Sequence, residues 1–199
     1  MLKQDTPDKS KLEELRNSSS SLRAELKRLS PLRALRTEKR QEFVISRPVL
    51  YSLDVYRSRL EKRGVTVEFS QSGDFSVYSR YGAIVQIITN LLDNAYYWLD
   101  SVEENKRHIF IQLDGNFRTL VFADSGPGIH PAIIPHLFKP GYSMKIPRSG
   151  LGLYISKHYM QEMGGDMQVL FNEKYRVENM PGAQFLLDFA KVKTVKDAD

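Results

Sequence analysis

The stretch Gln86-Ile-Ile-Thr-Asn-Leu-Leu-Asp-Asn-Ala95 decides the fold, because it is the centre of the most regular helical pattern in the chain. Apolar residues recur around it at i, i+3, i+4, i+7 and i+8, which predicts a helix over residues 80–102 with one apolar face. Asn90 and Asn94 lie one turn apart on the edge of that face. Asparagine is a poor residue for a helix interior. The pair indicates either two carboxamides that face a hydrated Mg²⁺ or a phosphate chain, or two polar residues that face the solvent.

A second motif, Ala123-Asp-Ser-Gly-Pro-Gly-Ile129, follows two predicted strands at residues 108–113 and 119–123. An ionised carboxylate at the end of a buried strand needs a donor, and the exocyclic amine of adenine is one such donor. Gly126 and Gly128 would let a ligand approach the backbone closely. The alternative is a turn that ends the strand, with Asp124 as a helix cap.

A third motif, Ser149-Gly-Leu-Gly-Leu-Tyr154, opens a helix predicted over residues 150–163. Free N–H groups and the positive end of the helix dipole make such a start a ready phosphate site, although a plain loop entering a helix has the same pattern. Five of the nine prolines fall within residues 125–149. This segment is therefore predicted to be an irregular lid or binding loop.

The remaining periodicity predicts an α+β fold. A helix is expected over residues 48–63, and the expected strands are 42–46, 65–69, 75–78, 166–171 and 183–189. Asp114-Gly-Asn116 is a hairpin signal between the strands at 108–113 and 119–123. We therefore expect a two-layer α/β sandwich, in which a mixed, mainly antiparallel sheet packs on about three helices.

The composition excludes several classes of protein and of binding site. The 199 residues are 41% hydrophobic and include no cysteine, so a disulfide scaffold and a thiolate zinc site are excluded. We find no signal-peptide core and no apolar run near the ~18 residues of a membrane span. A cytoplasmic location is the expectation. The whole excess charge of +5 lies in residues 1–40. The neutral remainder gives no electrostatic case for nucleic acid.

The N-terminal segment, residues 1–40, carries leucines at 12, 15, 22, 26 and 29. This spacing predicts a dimerising helix, as in a coiled coil or the second helix of a partial hairpin. A solvated charged linker is the alternative. At the other end, the polar tail over residues 191–199 is expected to fray.

The order and spacing of the three motifs resemble the ATP-binding domain shared by sensor histidine kinases, DNA gyrase, heat-shock chaperone ATPases and mismatch-repair ATPases. This group is the GHKL, or Bergerat-fold, superfamily. The resemblance covers residues 41–190 and is greatest to the catalytic domain of bacterial histidine kinases. It implies the Bergerat fold, with ATP and Mg²⁺ as cofactors.

The resemblance also implies roles for single residues. Asn94 would hold Mg²⁺, Asp124 would read adenine, and Lys145 would act catalytically near the γ-phosphate. Asn90 would be the catalytic position one turn before the magnesium ligand, where gyrase and the chaperones have a glutamate. The other implied nucleotide contacts are Gly126, Gly128, Ile129, Phe138 in the lid, Gly150, Leu151, Gly152 and Leu153. Tyr97 stands where many kinases have a basic residue, and it would pack either on the nucleotide or against the lid or sheet.

Position 90 bears on the reaction, because a carboxylate can accept a proton from an attacking water and a carboxamide cannot. Asn90 therefore favours phosphoryl transfer to a protein histidine over hydrolysis. The histidines, at positions 108, 130, 136 and 158, all lie outside residues 1–40. The acceptor is then expected in another domain or in a partner, and a homodimer and a response regulator are the further implied partners. A hydrolysing ATPase driven by lid closure and a non-catalytic nucleotide-binding module remain the alternatives.

Overall fold

The computed structural model describes residues 38–145, 150–171 and 176–194. The predicted N-terminal helix falls on residues outside these ranges, except for its last three positions, and so does the dimer contact that it implies. Residues 146–149 of the predicted lid and residues 195–199 of the predicted tail also lie outside the described residues.

Three α-helices and seven strands make up the described part of the chain. The helices are α1 (Ser46–Glu61), α2 (Tyr81–Trp98) and α3 (Gly152–Glu162). The strands are β1 (Gln41–Val44), β2 (Thr66–Ser72), β3 (Ser76–Ser79), β4 (His108–Asp114), β5 (Thr119–Asp124), β6 (Asp166–Val169) and β7 (Gln184–Asp188). No helix among these is long and apolar enough to cross a membrane.

The strands form two sheets. The larger sheet has the order β2-β4-β5-β7-β6, in which β2 and β4 are parallel and the other neighbours are antiparallel. This mixed, mainly antiparallel sheet with its helices confirms the predicted α+β class. The sequence did not predict that β1 and β3 pair with each other in a separate antiparallel sheet.

The core lies between the large sheet and the apolar face of α2. Ile84, Ile88 and Leu91 of this helix are fully buried, and so are Ile111 and Leu120 of the sheet. Helices α1 and α3 both pack against α2. The central helix α2 is thus held by the sheet on one side and by α1 and α3 on two others. These contacts fix the position of its remaining edge.

Most element boundaries lie within three residues of the predicted ones, and three larger differences follow. Helix α2 ends at Trp98 and continues as a 3₁₀ turn over Leu99–Ser101. The proline-rich loop contains a short 3₁₀ helix, Pro131–His136, which begins with a proline, where its missing N–H costs nothing. The packed part of the chain extends past residue 190, because Val192 is buried and the Lys193 carbonyl accepts the N–H of Tyr78.

Candidate functional site

Four polar or aromatic residues follow one another at intervals of four along one edge of α2: Gln86, Asn90, Asn94 and Trp98. Because a helix has about 3.6 residues per turn, side chains at this spacing lie above one another. Gln86 Nε2 donates to Asn90 Oδ1 at 2.9 Å. We call these four residues the α2 edge, and each of the segments predicted to bind nucleotide meets it at a different height.

Asn90 joins the α2 edge to the second glycine motif. Its Nδ2 donates to the carbonyl of Gly152 at 2.9 Å and to Ser156 Oγ at 3.1 Å, both in α3. These two bonds use both hydrogens of the amide nitrogen. Asn90 therefore fastens the first turn of α3 to α2, a role that the sequence analysis did not predict.

Asn94 accepts a hydrogen bond from the lid. Lys145 Nζ lies 2.6 Å from Asn94 Oδ1 and 3.3 Å from the Asp93 carbonyl. It also stands 5.0 Å from the centre of the Tyr97 ring. Burial lowers the pKa of Lys145 to about 8, against the opposing attraction of Asp93. The predicted lid lysine and the predicted magnesium ligand are thus in direct contact.

The environment of Asn94 fits a cation. Its Oδ1 already accepts from an ammonium group. Its Nδ2, a donor that is buried without a partner among the described residues, would suit a phosphate oxygen beside that cation. No group of three His, Cys, Asp or Glu side chains in the described ranges could hold a metal by itself. A metal here would take one carboxamide oxygen, with the other ligands coming from water and phosphate, which is the coordination that Mg²⁺ accepts.

Of two neighbouring positions on α2, Asp93 faces away from this cation site and Tyr97 borders it. The carboxylate of Asp93 pairs with Arg59 of α1 at 3.3 Å, so it points to the other helix, as its place about 100° round the helix predicts. Tyr97 is 38% exposed and meets the Trp98 ring edge-on at 5.0 Å. With Lys145 over its face, Tyr97 packs against the lid.

Asp124 lies at the end of β5 with only 3% of its surface exposed. Its Oδ1 accepts the N–H of Gly126 at 2.9 Å and the N–H of Ala183 at 3.1 Å. Burial raises the pKa of Asp124 to about 6, while these two hydrogen bonds and the charge of Arg176 act in the opposite direction. All hydrogen bonds to this carboxylate from the described residues end on Oδ1.

Glycines let the backbone close around Asp124. A Cβ on Gly126 would lie 2.8 Å from Asp124 Oδ1 and 3.5 Å from the Cβ of Trp98. A Cβ on Gly182 would collide with Asp124 Oδ1 and with the nitrogen of Gly126. Gly128 has a φ of +79°, a conformation that favours glycine. Together they form a cradle around a buried carboxylate, directly behind the last residue of the α2 edge.

A backbone hydrogen bond joins the lid to the second glycine motif. The N–H of Gly141 donates to the carbonyl of Gly150 at 3.1 Å, and Gly150 has a φ of +58°. A Cβ on Gly150 would meet the backbone of Gly141 and Tyr142. Phe138 lies on the α3 side, where Lys157 Nζ stands 5.4 Å from its ring centre.

The structure brings most of the predicted residues into three groups. These are Asn90 with Gly152, Asn94 with Lys145 and Tyr97, and Asp124 with Gly126. Gly150 and Leu151 lead directly into α3, Leu153 lies in its first turn, and Ile129 is half-buried in the first glycine segment. Phe138 contacts α3 instead of the α2 edge. Arg176 and Gly182 were missed as site residues, and only the Pro181-Gly182 pair marks that turn in the sequence.

Comparison with known proteins gives a consistent result. A model of the family described as histidine kinase-, DNA gyrase B- and HSP90-like ATPase matches residues 80–193. The chain is 35% identical to sensor protein CitS of Bacillus subtilis over 91 residues, which is 46% of this chain and 17% of CitS. It is 30% identical to the signal transduction histidine-protein kinase/phosphatase MprB of Mycobacterium leprae over 136 residues, or 63% of this chain and 25% of MprB. The matched part is thus a quarter or less of these relatives.

Solved structures share the fold. A mycobacterial sensor histidine kinase MprB aligns with a TM-score of 0.62 at 24% identity, covering 74% of this chain and 95% of that one. Full-length ShkA in complex with AMPPNP aligns at 0.67 and 19% identity, covering 97% and 41%. ThkA in complex with the response regulator protein TrrA aligns at 0.65 and 20% identity, covering 96% and 53%. At these identities the likeness establishes the fold alone.

Proposed function

Because this chain belongs to the family of histidine kinase-, DNA gyrase B- and HSP90-like ATPases, we propose that it binds Mg-ATP as the catalytic domain of a histidine-kinase-like protein. The γ-phosphate passes to a histidine in another part of the full-length protein or in a partner. The observation that carries this proposal is the buried Asp124 carboxylate in its cradle of glycines behind the α2 edge, on which Asn94 is bonded to the ammonium group of Lys145.

Asp124 supports the choice of adenine. Its Oδ1 is held by two backbone N–H groups, so its other oxygen is left to accept from a ligand. A buried carboxylate that lacks a further donor is costly, and the amino group of adenine supplies one. Guanine presents a carbonyl oxygen at the corresponding position, which a carboxylate would repel. The carboxylate therefore selects an adenine nucleotide.

The phosphate end would lie between α2 and the lid. Asn94 Oδ1 would hold the metal, which neutralises charge on the phosphates when bound. Lys145 would leave Asn94 and approach the γ-phosphate. The N–H groups at the start of α3, fixed in position by Asn90, would face the phosphate chain.

Transfer is supported over hydrolysis by the two positions where a general base would stand. Position 90 is a carboxamide whose nitrogen is bonded to Gly152 and Ser156. The carboxylate of Asp93 is paired with Arg59. Neither group can accept a proton from water at the γ-phosphate, so the chain's own residues bind, orient and neutralise.

The test uses Mg-ATP labelled on the γ-phosphate. We expect the chain alone to bind nucleotide and to release almost no free phosphate. When it is mixed with a polypeptide that bears the acceptor histidine, label should appear on protein. Because phosphohistidine is labile in acid and stable in alkali, the label should be lost in acid and kept in alkali. Asp124→Asn should abolish binding and labelling.

Asp100→Asn is the matched control, because Asp100 is an exposed aspartate near the end of α2 that pairs with Arg63. Surface pairs of this kind contribute little, so this variant should behave as wild type. Steady phosphate release by the chain alone would support the hydrolysing ATPase instead. Tight binding with neither release nor labelling would support a non-catalytic nucleotide-binding module.

The proposal extends to partners and location. A response regulator is a candidate partner because ThkA, which shares the fold, has been solved in complex with one. A homodimer through residues 1–40 and a cytoplasmic location belong to the same proposal. The leucine spacing supports the first, and the lack of cysteine is compatible with the second.

A further inference from the structure

The segment that precedes β7 lies beside the first glycine motif and also holds Asp124. Three successive carbonyl oxygens of this segment accept hydrogen bonds from one guanidinium nitrogen, Arg176 Nη2. The distances are 3.2 Å to Met180, 3.2 Å to Pro181 and 2.9 Å to Gly182. Arg176 thus gathers the carbonyls of this turn on one side.

The N–H groups of the same turn point the other way, to Asp124. The peptide unit between Pro181 and Gly182 accepts from Arg176 at its carbonyl and donates from its N–H to the Asp124 carbonyl at 3.0 Å. The next unit accepts from Arg176 at the Gly182 carbonyl and donates from the Ala183 N–H to Asp124 Oδ1. Two consecutive peptide units therefore connect the guanidinium to Asp124.

In this arrangement, the two peptide dipoles are aligned between a cation, Arg176, and the carboxylate of Asp124. A cation at a carbonyl oxygen polarises the peptide, which makes its N–H a stronger donor to an anion on the other side. Arg176 is also the charged side chain that opposes the effect of burial on the pKa of Asp124, apart from the two hydrogen bonds. The arginine therefore acts on the carboxylate both through space and through the two peptide units.

We infer that Arg176 is a positioning residue for adenine recognition: by holding the turn 180–183, it fixes Asp124 in the geometry that reads the base, without touching the nucleotide. This inference rests on the proposed function. Arg176 is then a specificity determinant that lies outside the three sequence motifs.

The turn itself has a second support, which makes the inference testable. Gln184 is buried, and its carboxamide bonds both backbone groups of Val177 and the carbonyl of Met180. Because these bonds remain when Arg176 is replaced, Arg176→Met should keep the fold and remove the charge. Arg176→Lys keeps the charge.

The experiment measures the dissociation constants of Mg-ATP and Mg-GTP by calorimetry between about pH 5.5 and 8.5, a range that brackets the raised pKa of Asp124. The two ligands carry the same phosphates, so the ratio of their constants cancels phosphate titration and any loss of folded protein. In wild type, the preference for ATP should fall as pH drops through about 6, because protonation removes the acceptor.

In Arg176→Met, the same fall should begin at higher pH, because the opposing charge is gone. If the midpoint moves by about one pH unit, the preference for ATP over GTP falls by about tenfold at acid pH. At alkaline pH the preference should change little. Arg176→Lys should return the midpoint toward wild type.

An unchanged midpoint in Arg176→Met would overturn the inference, and so would equal weakening of both nucleotides at every pH. If wild type preferred ATP but the Lys variant behaved as the Met variant, the charge would have no role and the inference would fall. If wild type bound neither nucleotide, the proposed function itself would fail, which is a distinguishable result.

Discussion

Asp124 destabilises the folded chain when it is ionised, because its carboxylate is buried. Its pKa is raised from 3.8 to about 6, so between these values the folded chain binds a proton that the unfolded chain releases. Folding stability therefore falls as pH rises through this window, and the charged form retains a penalty of roughly 3 kcal/mol above it. The penalty is the expected mark of a group placed for binding.

Asparagine at position 124 should therefore stabilise the nucleotide-free chain while abolishing nucleotide binding. The amide oxygen still accepts the N–H groups of Gly126 and Ala183, and no buried charge remains. At pH 8 we expect the free energy of unfolding to rise by about 1 to 3 kcal/mol, less at pH 5, where the wild-type carboxyl is protonated. Urea unfolding across this range measures the difference.

Asp114→Asn provides the control, because Asp114 also ends a strand but serves only to accept two N–H groups in an exposed turn. It should show no gain at any pH. If Asp124→Asn were less stable than wild type at pH 8, the hydrogen bonds of the carboxylate would stabilise the fold by more than its burial destabilises it.

The sequence predicts the identity of several site residues better than their contacts. The chemistry of their side chains identifies Asp124 and Asn94 as candidates, and the family resemblance adds Lys145. Asn90 was equally visible, but its bonds to Gly152 and Ser156 depend on how α3 lies against α2. Arg176 gave no signal, because an isolated arginine in a loop resembles any solvated residue until the chain folds.

At the scale of elements, α2 organises the site and the lid closes on it. The spacing of Gln86, Asn90, Asn94 and Trp98 places one contact on each turn. Lys145 ties the lid to this edge through Asn94 and the Asp93 carbonyl. The lid is therefore held by the same asparagine that would hold the metal.

Lys145→Met should loosen the lid of the nucleotide-free chain. The substitution removes both hydrogen bonds and the contact with the Tyr97 ring. Amide hydrogen exchange in residues 139–145 should speed up several-fold, as expected for a segment that loses one or two hydrogen bonds. Mass spectrometry of the lid peptide measures the rate, and exchange in β4 and β5 should not change.

The comparison for this prediction is Lys139→Met on the same loop. Lys139 is exposed, so its replacement should leave lid exchange at the wild-type rate. Equal rates in the two variants would show that Lys145 does not hold the lid.

The sequence predicts an element well when its apolar repeat is long. It does not predict which short strands pair with each other. The apolar repeat of α2 extends over four turns, so its predicted start lies one residue, and its predicted end four residues, from the observed bounds. The separate pairing of β1 with β3 is invisible in strands of four residues each, since so short a pattern fits several partners. The 3₁₀ helix in the lid arises from local turns among prolines, which leave no apolar period.

At the scale of the whole molecule, Arg118 connects the two sheets. It stands in the turn after β4 with a φ of +53°. Its Nη2 donates to the carbonyl of Val192 at 2.9 Å and to that of Ser76, in β3, at 3.3 Å. The guanidinium also lies 5.1 Å from the centre of the Phe75 ring. One side chain thus joins the small sheet, the end of the chain and the large sheet.

Arg118 and Arg176 form a natural pair, since each donates to several backbone carbonyls but only Arg176 does so beside Asp124. Arg118→Met should lower the free energy of unfolding by about 2 kcal/mol, through lost charged hydrogen bonds. It should leave the ATP-to-GTP preference and its pH midpoint unchanged, because no peptide unit connects it to Asp124. Urea unfolding and nucleotide titration of the same sample measure both quantities. A shifted midpoint in Arg118→Met would mean that base recognition responds to general loosening of the fold, and the special place of Arg176 would be lost.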